Sequence, residues 1–164
     1  MTVEPRPVTE EDWPGIVALE TQTYAGSGLS ESPEALLSRT NRSTSYVLAD
    51  GRRILGYALS LPYPRFRFPD LAHADTTPFV STNLHLHDLV IGPGHRRLGL
   101  GGRLLDHLLA EAGRQAYEVV SLVAVGDAAG FWAARGFLRH PEITLPAAYG
   151  PGATYMSRLL RAED

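Results

Sequence analysis

Two rhythms of apolar and polar positions divide this chain. Trp13, Ile16, Val17 and Leu19 recur at helical spacing behind Thr9-Glu10-Glu11-Asp12, an N-cap followed by acidic first-turn residues, with Pro14 tolerated in the first turn. Ser32-Pro33-Glu34 opens a second, shorter helix carrying Leu36 and Leu37. The clearest helical stripe is Leu100, Leu104, Leu105, Leu108 and Leu109, which predicts a helix packed on a sheet. Strand-like runs at 45–49 and 54–59 flank Asp50-Gly51, a strong hairpin signal. Further strands are predicted at 3–8, 84–91 and 119–125; the last has few polar positions, as a strand buried on both faces should. A short helix at 128–135 and strands near 138–143 and 153–160 complete the order βααβββαβαββ. The connection from Tyr63 to Asn83 is rich in proline and aromatics, and loops of that length inside a domain are usually functional or mobile.

The chemistry concentrates where the strand at 84–91 gives way to the leucine-striped helix. Gly92-Pro93-Gly94-His95-Arg96-Arg97-Leu98-Gly99-Leu100-Gly101-Gly102 forms a turn at the helix start. Glycines there let the backbone approach a ligand closely, and the first helical N–H groups are left without partners. Those donors, the positive end of the helix dipole and Arg96/Arg97 together suit a pyrophosphate. A Walker loop is excluded, because it needs Gly-Lys-Ser/Thr and the chain has no lysine. The offsets of Gly99, Gly101 and Gly102 also fail the dinucleotide pattern Gly-x-Gly-x-x-Gly.

Arg96-x-x-Gly99-x-Gly101, with Pro93 three residues upstream, resembles motif A of the GNAT superfamily of acetyl-CoA-dependent N-acetyltransferases. Gly126 to Phe137 resembles the superfamily's motif B, which passes beside the pantetheine arm. The resemblance is specific over residues 84–137 and agrees elsewhere in element order. It implies an α/β (α+β) fold: a central, mixed, mostly antiparallel sheet of about seven strands, flanked by helices and splayed at the fourth strand. It also implies that acetyl-CoA is the donor. Leu89, Val90 and Ile91 would pair with pantetheine. Arg96, Arg97, Leu98, Gly99, Leu100, Gly101 and Gly102 would hold the pyrophosphate. Two positions depart from the pattern: Asp127 sits where many members have asparagine, and Trp132 is the second. Trp132 stands where the superfamily commonly has a tyrosine that protonates the leaving thiolate, and an indole N–H donates a hydrogen bond but does not give up its proton near neutrality. Trp132 is therefore expected to be a wall of the cofactor site, with the thiolate leaving unaided or protonated by Tyr149 or Tyr155.

Composition narrows the chemistry further. At 164 residues the chain is expected to be a single domain over 1–164. Its net charge of −3 gives no field for nucleic acid or an anionic membrane, and no apolar run approaches a membrane span or a signal-peptide core. A cytoplasmic location is the resulting expectation; the oligomeric state, a homodimer included, stays open. Without cysteine there is no acyl-cysteine intermediate, so transfer should be direct within a ternary complex.

His85 and His87 lie two residues apart on the strand, on one face and roughly 6.6 Å apart along it, with Asp88 in the opposite register. An unperturbed imidazole accepts a proton near neutrality. The pair is similar to the strand histidines of the arylalkylamine N-acetyltransferases, which implies His87 as base with His85 behind it and a small-molecule primary amine as acceptor. Structural histidines are the competing reading, with Asp88 as base or orienting group. No third ligand has a convincing spacing, so no metal is expected. An antibiotic, an amino acid or a protein N-terminus are alternative acceptors, and a non-catalytic acyl-CoA-binding module is the alternative from another class.

Overall fold

The computed structural model describes residues 3–96 and 98–160. Seven strands form one sheet in the order β1-β2-β3-β4-β5-β7-β6. They are β1 (Arg6–Pro7), β2 (Tyr46–Asp50), β3 (Arg53–Pro62), β4 (Asn83–Ile91), β5 (Val119–Ala124), β6 (Leu138–Arg139) and β7 (Thr154–Leu159). Every neighbouring pair is antiparallel except β4 and β5. The helices are α1 (Trp13–Tyr24), α2 (Pro33–Ser38), α3 (Leu100–Arg114) and α4 (Ala129–Ala133). The mixed, mostly antiparallel sheet flanked by helices matches the fold expected from the sequence.

Three elements are shorter than their patterns suggest, each for a backbone reason. β1 covers only Arg6–Pro7, because Pro5 and Pro7 carry no N–H for a ladder. β6 stops at Arg139, two residues before Pro141. α4 runs only Ala129–Ala133, and the chain turns at Gly136 with φ of +89°.

Each face of the sheet buries its own core. On one face Leu104, Leu105 and Leu108 of α3 pack with Leu84, Leu86, Val120 and Met156. On the other, Ile16 and Leu19 of α1 and Leu36 of α2 pack with Tyr57, Leu59 and Val90. The strand between the cores carries an irregularity. β3 residues Leu59 and Ser60 pair with Asp88 and Leu86, so His87 is an extra residue on β4. This β-bulge bends the strand and resets its alternation: Leu84 and Leu86, then Leu89 and Ile91, all face α3. Beside it, β4 and β5 pair only at Asn83↔Val119, Leu84↔Val120 and His85↔Ser121, and then part. That is the expected splay.

Residues 63–82 are tied down by a buried cation. The Arg39 side chain at the end of α2 is fully buried. It donates to Glu31 (3.1 Å), Asp75 (2.7 Å), the Ser38 hydroxyl (3.2 Å) and the carbonyls of Asp70 (2.6 Å) and His73 (2.7 Å). All five guanidinium N–H groups are thereby used. The clamp joins the α1–α2 connection to the β3–β4 connection, and both border the site described below. Removing one partner of such a buried network leaves the others unpaired. Arg39→Ala should therefore lower the unfolding free energy by about 3–5 kcal/mol in urea titrations. A loss under about 1 kcal/mol would place the clamp among interactions of surface strength.

Candidate active site

The separation of β4 from β5 leaves a wedge whose closed end is the His85–Ser121 pair. A cavity of about 540 Å³ occupies it. The wedge ends at the start of α3, where Gly99 is the N-cap with φ of +76°, a conformation that favours glycine. Among the described residues no side chain caps this helix, so the amides of Leu100, Gly101 and Gly102 keep their donors and the positive end of the dipole. A Cβ at Gly101 would meet Leu89, Ile91 and Phe131 at 3.7–3.9 Å, so any longer side chain would enter the space between β4 and α4. Arg96 lies beside this end, donating from Nε to the Ile91 carbonyl at 3.1 Å. Arg135 stacks on Phe131, 3.6 Å from the ring centroid, and brings a second guanidinium to the wall.

Leu89, Val90 and Ile91 form the β4 wall, and Trp132 stands on the α4 side. The Val90 side chain packs into the α1 core, whereas Leu89 and Ile91 face α3. Trp132 meets Phe131 and Phe137 edge-on, at 4.9 and 5.5 Å between centroids, and packs against the core. Leu98 is exposed and does not line the cavity. Arg97 lies outside the described residues.

At the opposite end the bulge brings His87 and Asp88, consecutive in sequence, to the same cavity. Asp88 is thus not in the opposite register, since the extra residue cancels the alternation. Its buried carboxylate accepts hydrogen bonds from the hydroxyls of Tyr24 (2.5 Å) and Tyr57 (2.7 Å). Burial pushes it up to about 6, against the opposing pull of His87 and the two hydroxyls. His87 Nε2 hydrogen-bonds Glu31, and both side chains are almost fully buried. Glu20, also lining the cavity, accepts from the Ser30 hydroxyl (2.7 Å) and the Glu31 amide (2.8 Å), which fixes the chain that delivers Glu31.

The relay expected of His85 does not fit this geometry. His85 does not line the cavity; its Nδ1 shares a 2.8 Å hydrogen bond with the Ser121 hydroxyl, which also accepts from Asn83 at 2.9 Å. Burial pushes its imidazole down to about 3, so it stays neutral where an acceptor amine would be deprotonated. Nor is a phenol free to serve the thiolate. Tyr155 accepts from the Phe66 amide (2.8 Å) and lies away from the cavity. Tyr149 and Tyr24 line the cavity, but they donate to the Pro69 carbonyl and to Asp88, and burial raises both.

Sequence reasoning missed Glu31, Glu20 and Tyr24, which come from the α1 side. A signal for the bulge was present: the facing positions 84 and 86 are followed by 89 and 91, with two polar residues between them.

The sequence profile described as the Acetyltransferase (GNAT) family matches residues 13–137. No curated protein matches the chain. Among solved structures, it is similar to Ard1 from Thermoplasma volcanium, at TM-score 0.75 and 18% identity over 98% of this chain and 99% of that one. The ribosomal-protein-S18-alanine N-acetyltransferase from Escherichia coli superposes with TM-score 0.72 and 17% identity, covering 97% and 94% of the two chains. The PaiA N-acetyltransferase from Thermoplasma acidophilum, solved with coenzyme A, gives 0.69 and 16%, covering 97% and 99%.

The buried Asp88 makes stability depend on pH. Its folded-state pKa is raised, so the native chain holds this proton more tightly than the unfolded chain; the contribution is complete below 3.8 and lost as pH rises through about 6. Asp88→Asn removes the titration. Relative to this variant, the wild type should lose on the order of 2–3 kcal/mol as pH rises from 4 to about 7 in urea unfolding, with little change above that. His85 titrates with the opposite sign but is common to both proteins and cancels. A difference that is flat across the window would mean Asp88 is not desolvated.

Proposed function

Since this chain belongs to the GNAT acetyltransferase family, we propose that it moves the acetyl group of acetyl-CoA directly to a primary amine of a small molecule, with His87 taking the amine's proton. The observation that carries this reading is the continuity of one cavity, from the free amides at the start of α3 to the cluster of His87, Asp88 and Glu31. The amides of Leu100 to Gly102, with Arg96 beside them, suit the pyrophosphate. The edge of β4 from Leu89 to Ile91, which has no partner in β5, offers backbone groups to the amides of pantetheine. A donor on that edge would also polarise the thioester carbonyl. Because the phenols are engaged, the thiolate leaves without a phenolic acid, which a thiol of pKa about 8.5 permits.

Charge at the acceptor end supports an amine without a neighbouring carboxylate. Glu20, Glu31 and Asp88 line that end, and an ammonium is drawn to them. Arg39, the guanidinium behind Glu31, has every donor engaged within the fold and leaves none for a substrate carboxylate. Leu29, Leu71 and Tyr149 give the acceptor an apolar wall. These features favour a small amine over an amino acid.

Thiol release from acetyl-CoA tests the proposal, using amino acids paired with their decarboxylated amines. The amine of each pair should be favoured in kcat/KM by at least about tenfold. The rate should rise with pH through a limb near neutrality. His87→Ala should slow transfer roughly 10²-fold while acetyl-CoA affinity stays within a factor of a few. Amino acids used as well as their amines would point to the amino-acid reading. Tight acetyl-CoA binding with no thiol released across the panel would mark a binding module instead.

A further inference from the structure

Glu31 lines the cavity and is almost fully buried against both His87 and Arg39. One carboxylate oxygen contacts His87 Nε2 and the other accepts from Arg39 Nε at 3.1 Å. We propose that Glu31, held by Arg39, is the positioning residue that sets the tautomer of His87 and stabilises the imidazolium formed during transfer. The inference rests on the reading that His87 is the base.

The argument begins with donors and acceptors. A carboxylate paired with a guanidinium only accepts, so the shared proton sits on His87 Nε2. In the neutral imidazole Nδ1 then carries the lone pair, and it has no hydrogen-bond partner among the described residues. The proton balance follows. An acceptor ammonium gives one proton to Nδ1; the resulting amine nitrogen forms a bond to the thioester carbon as the carbon–sulfur bond breaks, and its second proton passes to the departing thiolate, so the products are the neutral amide, coenzyme A as thiol and the imidazolium. The imidazolium left behind has the Glu31 carboxylate against its Nε2–H, a charge-assisted hydrogen bond.

The surroundings fix this arrangement before substrate arrives. Glu20 holds the Glu31 amide and the Ser30 hydroxyl, so the backbone carrying Glu31 is fixed from α1. Arg39 is itself fixed by Asp75 and by the Asp70 and His73 carbonyls. Three parts of the chain thus converge on one ring: the α1–α2 connection, the β3–β4 connection and the β4 bulge. Other charged and titratable groups near the ring are Asp88 and Glu20 on the cavity side, with the neutral His85 ring 6.4 Å away along β4.

Two measurements on the full chain test this. Nitrogen NMR of the imidazoles in the wild-type protein reads the tautomer directly. His87 should carry its proton on Nε2, and a neutral Nδ1–H ring would overturn the proposal. Kinetics with acetyl-CoA and the best amine of the panel then separate positioning from mere anchoring. Glu31→Gln should lower kcat by about tenfold or more and move the pH limb of kcat/KM acidward by about one unit, with KM for acetyl-CoA unchanged. Asp75→Asn weakens the same clamp without touching His87; it should lower stability and leave the limb in place. A limb unmoved in Glu31→Gln, or moved equally by both variants, would make Glu31 a loop anchor only. If His87→Ala retains full rate and its pH limb, the underlying reading has failed instead, so the two failures are distinguishable.

Discussion

The site depends on two parallel strands being unable to stay together. β4 is held along its length by β3, and β5 by β7, but β4 and β5 share only three pairs. The bulge at His87 bends β4 two residues beyond the last of them. Past that point a central strand presents backbone N–H and C=O groups that the sheet does not satisfy. Such groups are costly to bury unpaired, so a protein that keeps them there is built to pair them with something else. The same bend faces the wedge toward the start of α3, where uncapped amides lie in line with it. One irregularity therefore sets the cavity, its hydrogen-bonding edge and the placement of His87 and Asp88.

Electrostatics divides the cavity into two ends of opposite character. Arg96, Arg135 and the start of α3 make one end suited to anions. Glu20, Glu31 and Asp88 make the other suited to a cation, and their cost is met differently in each case. Glu31 has a guanidinium, Glu20 a hydroxyl and an amide, and Asp88 two phenols. Asp88 has only neutral donors, and it is the carboxyl that burial raises. Under the proposed function, a phosphate-bearing donor and a cationic acceptor would approach from opposite ends of the wedge.

Much of this was legible because it is local. The glycine turn, its arginine and the leucine stripe specify a helix start suited to an anion from neighbouring residues alone. Asp50-Gly51 forms the β2–β3 hairpin, with Gly51 at φ of +61°. What could not be read was assembled from a distance. Glu31 reaches His87 across 56 residues, and Arg39 finds carbonyls 31 and 34 residues away. No spacing rule encodes such contacts. Strict alternation along β4 gave Asp88 the wrong side, and the resemblance gave His85 a role that its burial withholds. Proline limited β1 and β6 more than their apolar patterns suggested.

Amide hydrogen exchange with and without acetyl-CoA tests the central claim, that the unpaired edge of β4 and the start of α3 together receive the coenzyme. The account predicts slowed exchange on acetyl-CoA addition at residues 89–91 and 100–102, with little change on β2 or at the paired start of β4. Acetyl-CoA binding that leaves both segments unprotected, or that protects another face of the sheet, would contradict it.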